Sequence, residues 1–196
     1  MSYDIYCYQS DLGYPDVDEA THLTSDEDEE IISDDQVATI DKIAKALADY
    51  NPDFNRFQFD FTQIAVLQCI TVEEAQRQFR HAELNTSEGA LVTQIQIMGS
   101  SALITIPYWY TGNSAAMVFE KVNQYLKIIR KEAGYLVFDP QTGKAYDPEK
   151  EDIDGLFLYT ATTEHTNKYQ ESPQLQPVDG PTKSGNTKPK PWWKFW

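Results

Sequence analysis

Apolar residues recur along this chain with two periods, and the periods predict its elements. Between Ser33 and Asn51, Val37, Ile40, Ile43, Ala44 and Leu47 fall three or four apart, the spacing of one face of an α-helix. Ser33 followed by Gln36 is a capping-box pattern. Asp41 and Lys45 make a favourable i,i+4 pair on the opposite face. Asn51-Pro52 stops the helix, because a residue before proline avoids the helical region. A second helix is predicted from about Ser114 to Ala133, with Val118, Phe119, Val122, Tyr125, Leu126 and Ile129 as its stripe. Lys127, Arg130 and Lys131 complement its dipole near the C-terminus, and Gly134 is the expected residue just past the end. Period two takes over between residues 91 and 107. Leu91, Thr93, Ile95 and Ile97 alternate with Gln94 and Gln96, Gly99-Ser100-Ser101 turns the chain, and Ala102, Ile104 and Ile106 alternate again. That pattern predicts a β-hairpin.

The remaining segments follow weaker signals. Tyr3 to Tyr8 is aromatic-rich and reads as a first strand. Asp11 to Glu30 reads as a long acidic loop. Phe57, Phe59 and Phe61 alternate, which predicts an extended piece with one aromatic face. Thr62 to Ile70 fits helix and strand equally. Thr71 to Glu74 is a second capping box opening a short helix to about Arg80. His81 to Leu84 reads as extended, Asn85 to Gly89 as a turn, Tyr135 to Phe138 as a strand, Asp139 to Gly143 as a turn, and Leu156 to Thr160 as a last strand. Hairpins mixed with helices, without strict β-α alternation, predict an α+β fold: a mainly antiparallel sheet with two long amphipathic helices. The expected organisation is one domain over residues 1–165, with an acidic loop at about 11–32. Residues 166–196 are then a flexible tail rich in Pro and Lys, too polar to offset its ordering entropy.

Charge sharpens this picture. The 196 residues hold 31 acids and 16 Lys or Arg, a net charge of −15. The charge is uneven: residues 1–41 hold thirteen acids and no Lys or Arg, whereas residues 167–196 hold five lysines against Glu171 and Asp179. Such a balance argues against a nucleic-acid binder, which needs a basic face. No apolar run is long enough for a transmembrane segment, and Met1-Ser-Tyr-Asp-Ile lacks the basic and apolar regions of a secretory signal. Two cysteines, Cys7 and Cys69, make no disulfide framework, which fits a cytoplasmic location. His22, His81 and His165 are not spaced as metal ligands, and no phosphate-binding loop or nucleophile elbow occurs. The expectation is therefore no cofactor and no metal.

Four places carry candidate chemistry. The run Asp26, Glu27, Asp28, Glu29 and Glu30 reads either as a solvated loop or as an electrostatic guide for a basic protein partner. Tyr108, Trp109 and Tyr110 stand between a strand and a helix, as a partner or ligand pocket or as packing at the edge of the core. His81 and Glu83 share one face of an extended segment, where a carboxylate would stabilise an imidazolium; the plainer reading is a polar pair at a sheet edge. An enzyme alternative joins these last two, with an aromatic pocket and a His/Glu acid–base pair. Finally, Trp192, Trp193, Phe195 and Trp196 are costly to leave in water. They read as a chance aromatic end, or as a segment that docks on this chain or a twin, on a partner as an aromatic hot spot, or peripherally on a membrane, since Trp and Lys suit the headgroup layer.

Met1-Ser-Tyr-Asp-Ile-Tyr6, Arg80-His-Ala-Glu-Leu-Asn85, Ile106-Pro-Tyr-Trp-Tyr110 and Gly134-Tyr-Leu-Val-Phe-Asp-Pro-Gln141 resemble segments of small bacterial cytoplasmic proteins of the polymorphic-toxin immunity type. The resemblance covers about residues 1–160 and transfers no catalytic residues. It implies a stoichiometric inhibitor that neutralises a cognate toxin by direct binding, and an acidic surface suits a basic toxin domain.

Overall fold

A computed structural model describes residues 2–9, 14, 18, 32–86 and 91–171, with side chains as far as Thr166. In chain order the elements are β1 (Ser2–Tyr8), α1 (Asp34–Tyr50), β2 (Phe54–Arg56), α2 (Phe61–Gln68), α3 (Val72–Gln78), β3 (Ala82–Thr86), β4 (Gln94–Ile97), β5 (Ser101–Pro107), α4 (Gly112–Ala133), β6 (Leu136–Asp139), β7 (Lys144–Tyr146) and α5 (Leu156–Glu171). The strands form one seven-stranded sheet in the order β2-β3-β4-β5-β1-β6-β7. Every neighbouring pair is antiparallel. The fold is α+β, as the two periodicities predict.

Alternation sorts the sheet into two faces. Tyr3, Ile5 and Cys7 of β1, Leu84 of β3, Ile95 and Ile97 of β4, and Ile104 and Ile106 of β5 point to one side. There they meet Ile40, Ile43 and Leu47 of α1 and the whole predicted stripe of α4, all buried. The period-two hairpin is present with Ile95 opposite Ile104 and Ile97 opposite Ala102. The capping box at Ser33 closes as expected, with the Gln36 amide on Ser33 Oγ and the Ser33 amide on Gln36 Oε1. Gly134 takes the left-handed conformation that ends α4. The two long helices are tied at two points: Asn51 Nδ2, just past the end of α1, donates to Tyr125 Oη at 2.8 Å, and Lys42 Nζ, midway along α1, donates to the Glu132 carbonyl near the end of α4 at 3.1 Å.

Some segments settle an open reading and others differ from expectation. Thr62 to Ile70, open between two readings, is helical as far as Gln68, with Cys69 and Ile70 past the end of α2. Asn85 and Thr86 continue β3 rather than begin a turn. The aromatic stretch 57–61 is irregular rather than extended throughout, because Asp60 caps α2 by accepting from the Gln63 amide and Phe61 already belongs to that helix. Leu156 to Thr160 is the first turn of α5 and not a strand. Its alternation of Leu156, Leu158 and Thr160 misleads, since the residues that are buried are Tyr159 and Thr163, four apart. Tyr159 fixes the helix by donating to the Pro107 carbonyl at 2.5 Å and accepting from the Tyr110 amide at 3.1 Å. α5 runs on to Glu171, past the composition change at 166. Among the described residues, no helix is long and apolar enough to cross a membrane.

Candidate functional site: an aromatic bay beside an uncovered helix

β2 leads the chain off the edge of the sheet. The Phe57 amide still bonds the Glu83 carbonyl at 2.8 Å, so Phe57 starts beside β3. α2 and α3 then form a helical reversal. Cys69 ends α2 in the left-handed region at φ 56°, and the Thr71–Glu74 capping box opens α3 with bonds of 3.1 and 2.8 Å. The reversal returns Phe79 and His81 to the point where the chain left. Phe59 becomes the hub of the cluster, with ring centroids 5.1 Å from Phe57, 6.2 Å from Phe61, 5.7 Å from Phe79 and 4.8 Å from His81. The rings, with Arg56, Gln58 and Arg80, line an open bay of about 250 Å³.

His81 and Glu83 do share a face. Nε2 of His81 lies 3.2 Å from Glu83 Oε1, which also accepts from Gln96 Nε2 at 3.4 Å. Ala82 and Leu84 point into the core between and beyond them, so the pair lies on the sheet face away from α1 and α4. The bay's lining brings phenyl rings, guanidinium groups and one imidazole, with no hydroxyl or thiol nucleophile among them. Among the described residues no group of His, Cys, Asp and Glu is placed to hold a metal.

Both arginines of the bay are engaged. Arg56 pairs with Asp41 at 2.7 Å. Arg80 donates through Nη1 to the Ile32 carbonyl at 2.7 Å and pairs through Nη2 with Asp34. Arg80 therefore fastens the start of α1 to the rim of the bay. The acids Asp26, Glu27, Asp28, Glu29 and Glu30 lie outside the described residues.

α2 continues from the bay with its outer face bare. Val66 and Leu67 are each 74% exposed, Phe57 is 51% exposed, and Val72 is also exposed. Ala65 is the one fully buried residue of α2. An apolar helix with so little cover is unusual in a chain this acidic.

Tyr108, Trp109 and Tyr110 go elsewhere. Tyr108 stacks on Tyr159 at 5.2 Å and meets the edge of Tyr3 at 6.4 Å. Tyr110 is bonded to both backbone groups of Val92, and Trp109 is half exposed. They stand on the helix-covered face, at the end of β5. His81 stands on the other face, beyond the end of β3 where Ala82 pairs with Ile97 and Ile97 with Ala102. The structure thus keeps the two halves of the enzyme alternative apart. Trp192, Trp193, Phe195 and Trp196 lie outside the described residues. Sequence reasoning reaches the stretch Arg80 to Glu83 and the phenylalanine alternation, but not Phe79, the contacts of Arg80 with Ile32 and Asp34, or the bare face of α2. The return of Phe79 onto Phe59 depends on the α2–α3 reversal, which no local pattern signals.

No protein-family model matches the chain, and neither does any curated protein or solved structure.

Proposed function

We propose that this chain is a non-catalytic protein-binding module that occludes a basic partner, acting as an immunity protein against a cognate bacterial toxin. The observation that carries the binding role is the exposure of Val66 and Leu67 on α2, the helix whose first residue, Phe61, lines the aromatic bay. Exposed apolar surface of this kind marks contact sites, and binding energy concentrates in such anchors with polar surroundings. The acidic run Asp26 to Glu30, which ends two positions before Ile32 in the sequence, supplies the long-range attraction for a basic surface. Attraction of that sort mainly raises the association rate and falls with salt. The toxin-neutralising part rests on the resemblance and the charge.

The test is a capture experiment from host lysate with two baits, wild type and a Val66→Glu/Leu67→Glu variant of unchanged melting temperature. The expected result is one basic protein held 1:1 by wild type at low salt and lost by the variant. Expressed alone, that protein should arrest growth, and co-expression of wild type but not of the variant should relieve the arrest. Equal capture by both baits would remove α2 from the interface, and a captured protein that is harmless when expressed alone would remove the toxin reading.

A further inference from the structure

We propose that the aromatic bay is a binding site for a small aromatic acid, one or two fused rings bearing a carboxylate. The acid half is read from charge. In a chain of net charge −15 the bay is lined by Arg56, Arg80, Gln58, His81 and phenylalanines, with no Asp or Glu among them. Asp41 and Asp34, the carboxylates that pair with the two arginines, are exposed and stand outside the lining. A guanidinium carries five N–H donors. Among the described residues Arg56 commits Nη1 to Asp41, and Arg80 commits Nη1 to the Ile32 carbonyl and Nη2 to Asp34. Each fork therefore keeps donors for a further acceptor, and a carboxylate is the acceptor whose geometry a guanidinium matches.

The aromatic half is read from the rings. None of the bay's phenylalanines is fully buried: Phe57 is exposed, and Phe59, Phe61 and Phe79 are half-buried. Phe59 meets Phe57 at 82° and His81 at 67°. Rings set at such angles offer both faces and edges, and a further ring gains more from them than its buried area alone. Guanidinium planes stack on aryl rings as well, so Arg56 and Arg80 serve both halves of the ligand. Size sets the limit. At about 250 Å³ the bay falls below the usual range of small-molecule sites, roughly 300–1,000 Å³, which confines the occupant to one or two rings with a single acid group. Val66 and Leu67 are not part of the lining. The site therefore needs neither the bare side of α2 nor a protein partner, and it can fail or hold independently of the partner reading.

2-Naphthoate is the probe, titrated into the 15N-labelled full chain and followed through backbone amide shifts. The expected result is saturable shifts at residues 56–61 and 79–81 with a Kd of about 1 mM or tighter, an affinity within reach of a ligand this small. 2-Naphthalenemethanol, which lacks the charge, and cyclohexanecarboxylate, which lacks the rings, should each bind at least about fivefold more weakly. Arg56→Gln and Phe57→Ala should each weaken 2-naphthoate by a similar factor at an unchanged melting temperature, because both side chains are exposed. Val66→Glu/Leu67→Glu should leave its affinity unaltered. Equal binding of the alcohol would overturn the charged half of the proposal, and equal binding of cyclohexanecarboxylate the aromatic half. Absence of saturable shifts at those residues, or wild-type affinity in both Arg56→Gln and Phe57→Ala, would overturn the site itself.

Discussion

The hydroxyl of Tyr3 donates to Oδ2 of Asp139 at 2.5 Å, joining the first strand to the end of β6 across 136 positions of sequence. The carboxylate is buried and also accepts from the amides of Gln141 and Thr142 at 2.9 and 3.3 Å, so one acid closes a turn and anchors a strand. The ring of Tyr3 meets Phe119, Tyr159 and Tyr108 edge-on. Gly155 lies against it so closely that a Cβ there would fall 1.8 Å from the hydroxyl and 2.6 Å from the ring. Gly155→Ala should therefore cost about 3 kcal/mol, a fall in Tm of roughly 6–12 °C. A thermal melt checks it; an unchanged Tm would mean that α5 can shift away from Tyr3.

The same tyrosine sets the alkaline limit of the fold. Burial pushes the Tyr3 phenol far above its ordinary range, and the carboxylate of Asp139 adds to the effect. Burial also raises Tyr146, and it pushes Tyr8 up to about 12. The unfolded phenols ionise near pH 10 while the folded ones stay neutral. Stability is thus fully present below about pH 10 and is lost as pH rises toward the folded values. Denaturant melts from pH 8 to 11.5 should show a decline that begins near 10 and is shallower in Tyr3→Phe, which also loses about 1–3 kcal/mol at neutral pH by leaving Asp139 short of a donor.

Acid acts through Asp147. Burial alone would raise its carboxyl, but the Glu149 amide and the Arg130 guanidinium outweigh it and hold it below the usual range. Arg130 grips both oxygens at 3.1 Å. The stability this provides is present above about pH 4 and is lost as pH falls through the lower folded value. Asp147→Asn should be less stable at pH 7 by about 1.5–3 kcal/mol and less sensitive to pH below 4. A parallel pH dependence in wild type and variant would show that other carboxylates govern the acid limb.

Arg80 should behave as a fastener rather than as part of the core. In Arg80→Gln the Ile32 carbonyl and Asp34 lose their cation. The expected outcome is faster amide exchange over residues 33–37 by about tenfold, with the β4–β5 amides unchanged. Exchange that rises uniformly would mean that Arg80 supports the whole domain instead.

Val66→Glu/Leu67→Glu, besides its effect on binding, should leave stability within about 0.5 kcal/mol of wild type, because both side chains are already in water. A larger loss would mean that α2 is covered in solution.

Much of this fold is legible where a long amphipathic pattern meets one flat partner. α1, α4 and the β4–β5 hairpin each carry five or more periodic apolar residues, and each is found where the pattern puts it. α5 is not legible, because among its described side chains only Tyr159 and Thr163 are buried and its first residues alternate as a strand would. The bay was half legible. The residues of 57–61 and 81–83 are visible as a pattern, but their meeting depends on Cys69 turning left-handed and Thr71 opening α3 at once, and neither event leaves a hydrophobic signature. The acidic run stands out by composition alone, whereas the bond from Arg80 to the Ile32 carbonyl, which fastens the start of α1 to the bay, is a contact across 48 positions that no local pattern signals.

The place of β1 has a consequence for how the sheet is made. Residues 2–8 form an inner strand whose neighbours are β5, residues 101–107, and β6, residues 136–139. A chain emerging from the ribosome must carry this aromatic strand unpaired until its partners are synthesised about a hundred residues later. The β3–β4–β5 meander can close locally and early, whereas the centre of the sheet waits on the longest loops to close, a step that slows folding and exposes strand edges meanwhile. Refolding should therefore be limited by the insertion of β1 between two strands already paired or poised, and the molecule is most exposed to misassembly in the interval before that insertion.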